Sequence, residues 1–200
     1  MIARAIEWWR GSAVRTVAGT VLSAVLTDSV EDSMNATVLA ETEARFRADP
    51  SKARSAPAVT ASLVNGRARL SAGPFNWDAD LPLSLGGENL APSPTAYLLG
   101  ALAGCAVAFL HDTLAPQFEV EVTDVAAVAR CSSDQRGLLA LDGVAADLAD
   151  LALDIRVSSP SPQDRIDAML AAWRERCPIY LALIKPQSVT LTIEGGAARG

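Results

Sequence analysis

Four side chains in this 200-residue sequence have the makings of thiol or imidazole chemistry: Cys105, Cys131, Cys177 and the single histidine, His111. A cysteine attacks as its thiolate, so what matters is which of the three has surroundings that favour the anion. Cys105 lies deep in an apolar stretch that runs from Tyr97 to Leu110, 14 residues. Cys177 stands directly before Pro178, with Arg174 and Arg176 close by. Proline suits the first position of a helix, so Cys177 falls at an N-cap, where unpaired amides and the helix dipole favour a thiolate. Cys131 follows a strand-like run and precedes the loop-like Ser132-Ser133-Asp134, which reads as structural. His111 comes six residues after Cys105, about 240° further round a helix, so the two point in different directions and a Cys-His pair within one chain is not expected. By position alone, Cys105 and Cys177 fit two readings: small apolar core residues, or partners in redox chemistry.

Composition removes several other classes. Seventeen basic residues against 23 acidic ones give a net charge of −6, and there is no basic block with which to bind nucleic acid. Three cysteines are too few and too odd in number for a disulfide-stapled scaffold, and one histidine with no C-x-x-C pair offers no zinc site. Half the residues are hydrophobic, enough for a core, although 37 of them are alanine and bury little area each. No uninterrupted apolar run reaches the roughly 18 residues of a membrane span. Met1 to Leu26 has the outline of a signal peptide, but Arg15 interrupts it and no A-x-A-like cleavage site follows before Asp28. The expected compartment is the cytoplasm, with neither membrane nor nucleic acid as a partner.

The elements that must position the cysteines begin near Pro57. Val59–Val64 and Arg67–Leu70 flank Asn65-Gly66, the strongest short hairpin cue because both turn residues tolerate positive φ. Phe75–Asp78 continues the sheet, and Gly86–Pro92 is a loop. Ser93-Pro94 caps and opens a long helix expected to stop at about Ala115, before Pro116. Its middle is apolar on every face, which predicts burial all round, and Gly100 and Gly104 thin two sides for close approach. Strands are expected over Phe118–Arg130 and Leu153–Val157, with a Gly- and Asp-rich stretch between them that holds a short turn of helix. Ser161-Pro162 caps and opens a helix over 163–176, Ile179–Ile184 adds a further turn or two, and Ser188–Ile193 forms a last strand. Residues 1–56, with Trp8-Trp9, read as an extension of uncertain structure in which Ala36–Arg47 suits either helix or strand. Asp49-Pro50-Ser51-Lys52 reads as a turn. The main domain spans 57–194, and 195–200 is a flexible tail.

The segment from Gly86-Gly87 through Pro92-Ser93-Pro94 to Gly104-Cys105 resembles the signature of the OsmC/Ohr superfamily. Asp80-Leu81-Pro82 ahead of it fits the same pattern, and Arg176-Cys177-Pro178-Ile179-Tyr180-Leu181 resembles the family's second cysteine segment. The resemblance covers roughly 57–194. It implies an α+β fold formed as an intertwined homodimer, with two antiparallel sheets around a pair of central helices and each site at the subunit interface. It further implies that Cys105 attacks an organic hydroperoxide and becomes a sulfenic acid, and that Cys177 resolves it to a disulfide. An external dithiol of lipoyl or thioredoxin type would then reduce the disulfide, with no bound cofactor and no metal. The family's peroxidases also use a hairpin arginine, for which Arg67 is the candidate and Arg69 the alternative, oriented by a glutamate directly after the helix-opening proline. That position is Thr95 here, which cannot form the ion pair, and Glu88 lies in the preceding loop. This departure places the chain nearer the broader OsmC-like branch. It also keeps open a non-catalytic dimer that binds a small hydrophobic or thiol-containing ligand. Phe75 and Trp77 could line an apolar pocket for a bulky hydroperoxide, but as strand aromatics they are read as core residues of the sheet.

Overall fold

The computed structural model describes residues 21–196. The segment ahead of the hairpin is a helix, α1 (Val21–Ala48), which settles Ala36–Arg47 as helix. Alanine, leucine and glutamate favour that state, and a Glu43–Arg47 ion pair of 3.0 Å, one turn apart, supports it. Leu39, Glu43 and Phe46 are half-buried along one face of α1, and Gln117 Nε2 donates to Glu43 Oε1 at 3.2 Å. Asp49 then caps a 3₁₀ turn (Pro50–Ala53) by accepting from Ser51 N–H, where the sequence predicted a turn. Trp8-Trp9 and the start of the signal-like stretch lie outside the described residues, as does most of the C-terminal tail.

Three strands follow, β1 (Thr60–Val64), β2 (Arg67–Ala72) and β3 (Phe75–Ala79), paired antiparallel in that order. Asn65 (φ 50°) and Gly66 (φ 77°) form the tight turn that the Asn-Gly pair predicts, setting the register Val64↔Arg67 and Leu63↔Ala68. The second sheet pairs β4 (Asp124–Ser133) with β5 (Leu148–Ser158), also antiparallel. The register shifts between Arg130 and Ser132, so Cys131 sits at a bulge. A short α-helical turn lies between β4 and β5, at Gln135–Leu138.

Between the two sheets in chain order comes the central helix. It is α-helical over Pro94–Ala108 (α2), widens to a π-helix over Phe109–Leu114 and resumes for one turn over Ala115–Phe118 (α3). The expected stop before Pro116 does not occur. The proline ring would strike a carbonyl four residues back in an α-helix. The π segment widens that register, as in the Ala115 N–H bond to Leu110 O five residues back, and the chain continues to Glu119, which ends it at φ 51°. Because the helix runs on to Phe118, the strand expected from Phe118 begins only at Asp124. By length and composition the 25-residue helix Pro94–Phe118, with an 18-residue stretch of mean hydropathy 1.6, could cross a bilayer. In this fold its inner side, Leu102, Ala106, Leu110 and Leu114, is buried in the protein core.

The expectation that this helix is buried all round is not met within one chain. Leu98, Gly100, Ala101, Gly104 and Ala108 are exposed, a strip of small or apolar residues along one side. The core lies on the other side. Ala106, Leu110 and Leu114 pack with Ile166, Met169, Ala172 and Trp173 of α4 (Gln163–Arg176) and with the inward residues Val125, Ala127, Leu153 and Ile155 of the second sheet. Ser161 does not cap α4: its Oγ accepts from Glu121 N–H at 2.9 Å, tying the helix start to the chain that enters β4. The last helix, α5, spans Pro178–Ile184. Ser188–Ile193 pairs with no strand among the described residues, contrary to expectation, and Val189, Leu191 and Ile193 all stand exposed.

Candidate functional site

Cys105 rides on α2 and Cys177 at the corner where α4 gives way to α5. The corner is made locally. Pro178 cannot donate the amide that would continue α4, so Cys177 leaves the helical region (φ −66°, ψ 112°) and serves as C-cap of α4 and N-cap of α5 together. Its own N–H still donates to Trp173 O at 2.9 Å, and its carbonyl accepts from Leu181 N–H at 3.0 Å. Cys177 is fully buried, in the same cluster as Leu110, Met169 and Trp173. Cys105 is half-buried and packs against that cluster from α2. The two Sγ atoms lie 3.1 Å apart as free thiols. Residues 72 positions apart in sequence therefore meet at a separation from which an S–S bond forms with little further movement.

The electrostatics of the pair differ from the sequence expectation. The N-cap position was expected to serve the Cys177 thiolate, yet the Ile179 amide at the start of α5 donates to the sulfur of Cys105. That amide lowers the Cys105 pKa, but burial raises it more, and the hydrogen bond and charge of Cys177 add to the rise. The net result pushes Cys105 up to about 11. No cation among the described residues contributes to this balance. The thiol form is therefore favoured at neutral pH, and a positive charge brought to Cys105 would favour its thiolate.

Arg67 begins β2, directly after the hairpin turn, and its guanidinium meets Glu88 (Nη1 to Oε2, 3.3 Å). Arg69, two residues on, is committed to Asp78 across the sheet. Of the two hairpin arginines, Arg67 is the one aimed at the loop that leads into α2. That loop is built on Asp80, a buried carboxylate that accepts from three backbone amides: Leu81 at 2.8 Å, Leu90 at 3.0 Å and Glu88 at 3.2 Å. These bonds, led by that from Leu90 and helped by the charge of Arg67, hold Asp80 below the usual carboxylate range against the opposing effect of burial. Gly87 passes so close beneath that a Cβ there would run into the Leu81 carbonyl. Ser93 caps α2 by accepting from Ala96 N–H, as the Ser-Pro pair predicts. Tyr97 in its first turns donates to Asp78 O at 2.6 Å and lies tilted against Trp77, with ring centroids 6.5 Å apart.

The remaining candidates fall away from the thiols. His111 is exposed in the π segment, with Nδ1 2.8 Å from Asp112 Oδ1. Phe75 is exposed at the start of β3, not a core residue. Two features were missed in the sequence: the Asp80 carboxylate as the centre of the loop, and the reach of Glu88 to Arg67. Asp80 preceding Leu81-Pro82 looks like any turn aspartate until the amides of Glu88 and Leu90 fold back onto it.

The family model for OsmC-like proteins matches residues 86–193. No curated protein sequence matches the chain. Among solved structures, an OsmC-like protein from Mycoplasma pneumoniae is similar at 20% identity, with a TM-score of 0.53 over 64% of this chain and 87% of that one. A Psychrobacter arcticus 273-4 protein, named for an osmotic stress induced and detoxification response, is similar at 15% identity, with a TM-score of 0.51 over 66% and 91%. An organic hydroperoxide resistance protein OsmC from Legionella pneumophila aligns at 18% identity over 65% and 90%, with a TM-score of 0.47. At these identities the two structures with TM-scores above 0.5 speak for the fold alone. Since the family model also spans both cysteines and more than half of the sequence, the chain belongs to the OsmC-like protein family.

Proposed function

We propose that this protein is a thiol-dependent peroxidase that reduces organic hydroperoxides through Cys105 and Cys177. The observation that carries the reading is the 3.1 Å separation of the two sulfurs. In the first step the Cys105 thiolate attacks an oxygen of ROOH, an S–O bond forms as the O–O bond breaks, and RO⁻ leaves as ROH after taking a proton. Cys105 is now a sulfenic acid. The Cys177 sulfur attacks it, an S–S bond forms and water departs. An external dithiol, of lipoyl or thioredoxin type, returns both thiols by exchange and is itself oxidised to a disulfide. No bound cofactor enters the cycle, and the protein works in the cytoplasm.

The reading includes a homodimer. The exposed strip on α2, the fully exposed β1 and the unpaired Val189–Ile193 segment are apolar surfaces left open by one chain. Glycine and alanine in the strip allow two copies of α2 to approach closely. If two such helices cross antiparallel at Ala101, within the strip, position 97 of one faces position 105 of the other. Tyr97 holds the hairpin sheet, so the crossing brings the Arg67 end of one copy toward Cys105 of the second and supplies the missing cation.

One equivalent of cumene hydroperoxide should consume two thiols per chain and leave Cys131 free, and peptide mass spectrometry should find Cys105 linked to Cys177. A link through Cys131 would overturn the assignment. The second reading, a ligand-binding dimer without turnover, draws on Thr95 and on the raised Cys105 pKa; it gains if the thiols survive the peroxide.

A further inference from the structure

We propose that Glu88 is the positioning residue for the Arg67 guanidinium, a carboxylate delivered by the Asp80-centred loop and not by the helix, where position 95 is threonine. The inference rests on the peroxidase reading for its consequence and on loop geometry for its substance. An ion pair whose glutamate side chain is 67% exposed adds little to stability. The loop that presents it is far more determined than such a pair would need. Asp80 accepts the Glu88 amide itself, so the backbone at position 88 is fixed from inside the loop while its side chain reaches out to Arg67. On either side Asn89 N–H bonds Leu81 O at 3.1 Å and Gly87 N–H bonds Pro82 O at 3.3 Å. Asn89 sits at φ 55°, which turns the chain back toward the helix start.

Among the described residues, Glu88 is the carboxylate that stands within ion-pair distance of Arg67. Its neighbour Arg69 is taken up by Asp78, and Asp80 is occupied by three amides and acts on Arg67 only through its charge. Glu88 is thus the carboxylate that limits the rotamers of Arg67. A guanidinium held in one orientation stabilises a thiolate and a departing alkoxide better than one that must reorganise during the reaction. Glutamate 88 and a glutamate at position 95 are then alternative solutions to one task, since both would stand beside the start of α2.

The test compares wild type, Glu88→Gln, Arg67→Ala, Thr95→Glu and the double variant Glu88→Gln/Thr95→Glu. Two readouts are taken on the full-length protein: turnover of cumene hydroperoxide with a dithiol, and the pH dependence of Cys105 alkylation by iodoacetamide, followed by peptide mass spectrometry. Glu88→Gln keeps the backbone amide that Asp80 holds, so its melting temperature should match wild type. It should slow turnover roughly tenfold, the lower end of what loss of an outer orienting partner costs, and move the alkylation midpoint to higher pH, in the direction of Arg67→Ala. The double variant should recover both. A Glu88→Gln protein that equals wild type in both readouts, or a double variant with no recovery in either, overturns the proposal. If wild type turns over no hydroperoxide, the peroxidase reading fails, and the alkylation midpoints alone decide whether Glu88 governs Arg67.

Discussion

The two halves of this chain are finished to different degrees. Around Cys177, the π segment, α4 and the second sheet enclose a core in which Leu110, Leu114, Met169 and Cys177 are wholly buried. The hairpin sheet contributes only Ala79 and the adjoining Asp80 to the buried set, while Leu63 is 80% exposed and Phe75 69%. Hydrophobic contacts stabilise the first half from within one chain. The second half is held by its turn, its strand register and the Asp80 loop, with an apolar face still open. The thiol pair belongs to the closed half and its candidate arginine to the open one. A single chain therefore brings the sulfurs together and leaves their charge unsupplied, which is why assembly is central to the proposed activity.

Substitutions separate the halves. The largest effect is expected at the nucleophile: Cys105→Ser should abolish hydroperoxide turnover, because a hydroxyl cannot supply the anion, and equal consumption by wild type and variant would remove the enzyme reading. Cys177→Ser should allow a single turnover and leave a sulfenic acid that dimedone traps. Next comes the contrast in stability. Leu110→Ala should cost about 2–5 kcal/mol in urea unfolding, as expected for a buried leucine, whereas Leu63→Ala should stay within about 0.5 kcal/mol for an isolated subunit. Leu63→Asp should instead lower the mass seen by light scattering if a second copy covers β1. A monomer at micromolar concentration for wild type would break the link between the open face and assembly.

Arg67→Ala should slow the reaction of Cys105 with hydroperoxide about 10²-fold, the scale for losing one electrostatic stabiliser, with the Cys105–Cys177 linkage still formed at the end. The smallest effect concerns acid. The Asp80 carboxyl titrates below its ordinary value because three amides and Arg67 favour its charged form. Its contribution is complete above the unfolded carboxyl pKa, near 4, and is lost as pH falls through the lower folded value. Hydrogen exchange should therefore show the amides of Leu81, Glu88 and Leu90 losing protection below about pH 4, while the amide of Cys177 in the closed half keeps its own.

Much of this was legible in the residues. Asn65-Gly66 fixed a hairpin because few other pairs accept two positive φ angles in succession. Ser93-Pro94 and Cys177-Pro178 marked helix starts because proline has no amide to lose there. The continuation past Pro116 was not legible, since an extra residue per turn is a response to packing and leaves no periodic signal. Nor were the bare Val189–Ile193 segment and the exposed side of α2. Alternation and apolarity say that a surface seeks cover, and they do not say whether the same chain provides it.

The division follows from the range of the forces. Backbone preferences at turns, caps and prolines are local, so the sequence by itself determined the hairpin, the two helix openings, the candidate cysteines and the family they resemble. Contacts between residues far apart in the chain depend on how whole elements pack. Only the tertiary structure decided that Cys105 and Cys177 stand 3.1 Å apart, that the Ile179 amide serves Cys105, and that Glu88 folds back over Asp80 to meet Arg67.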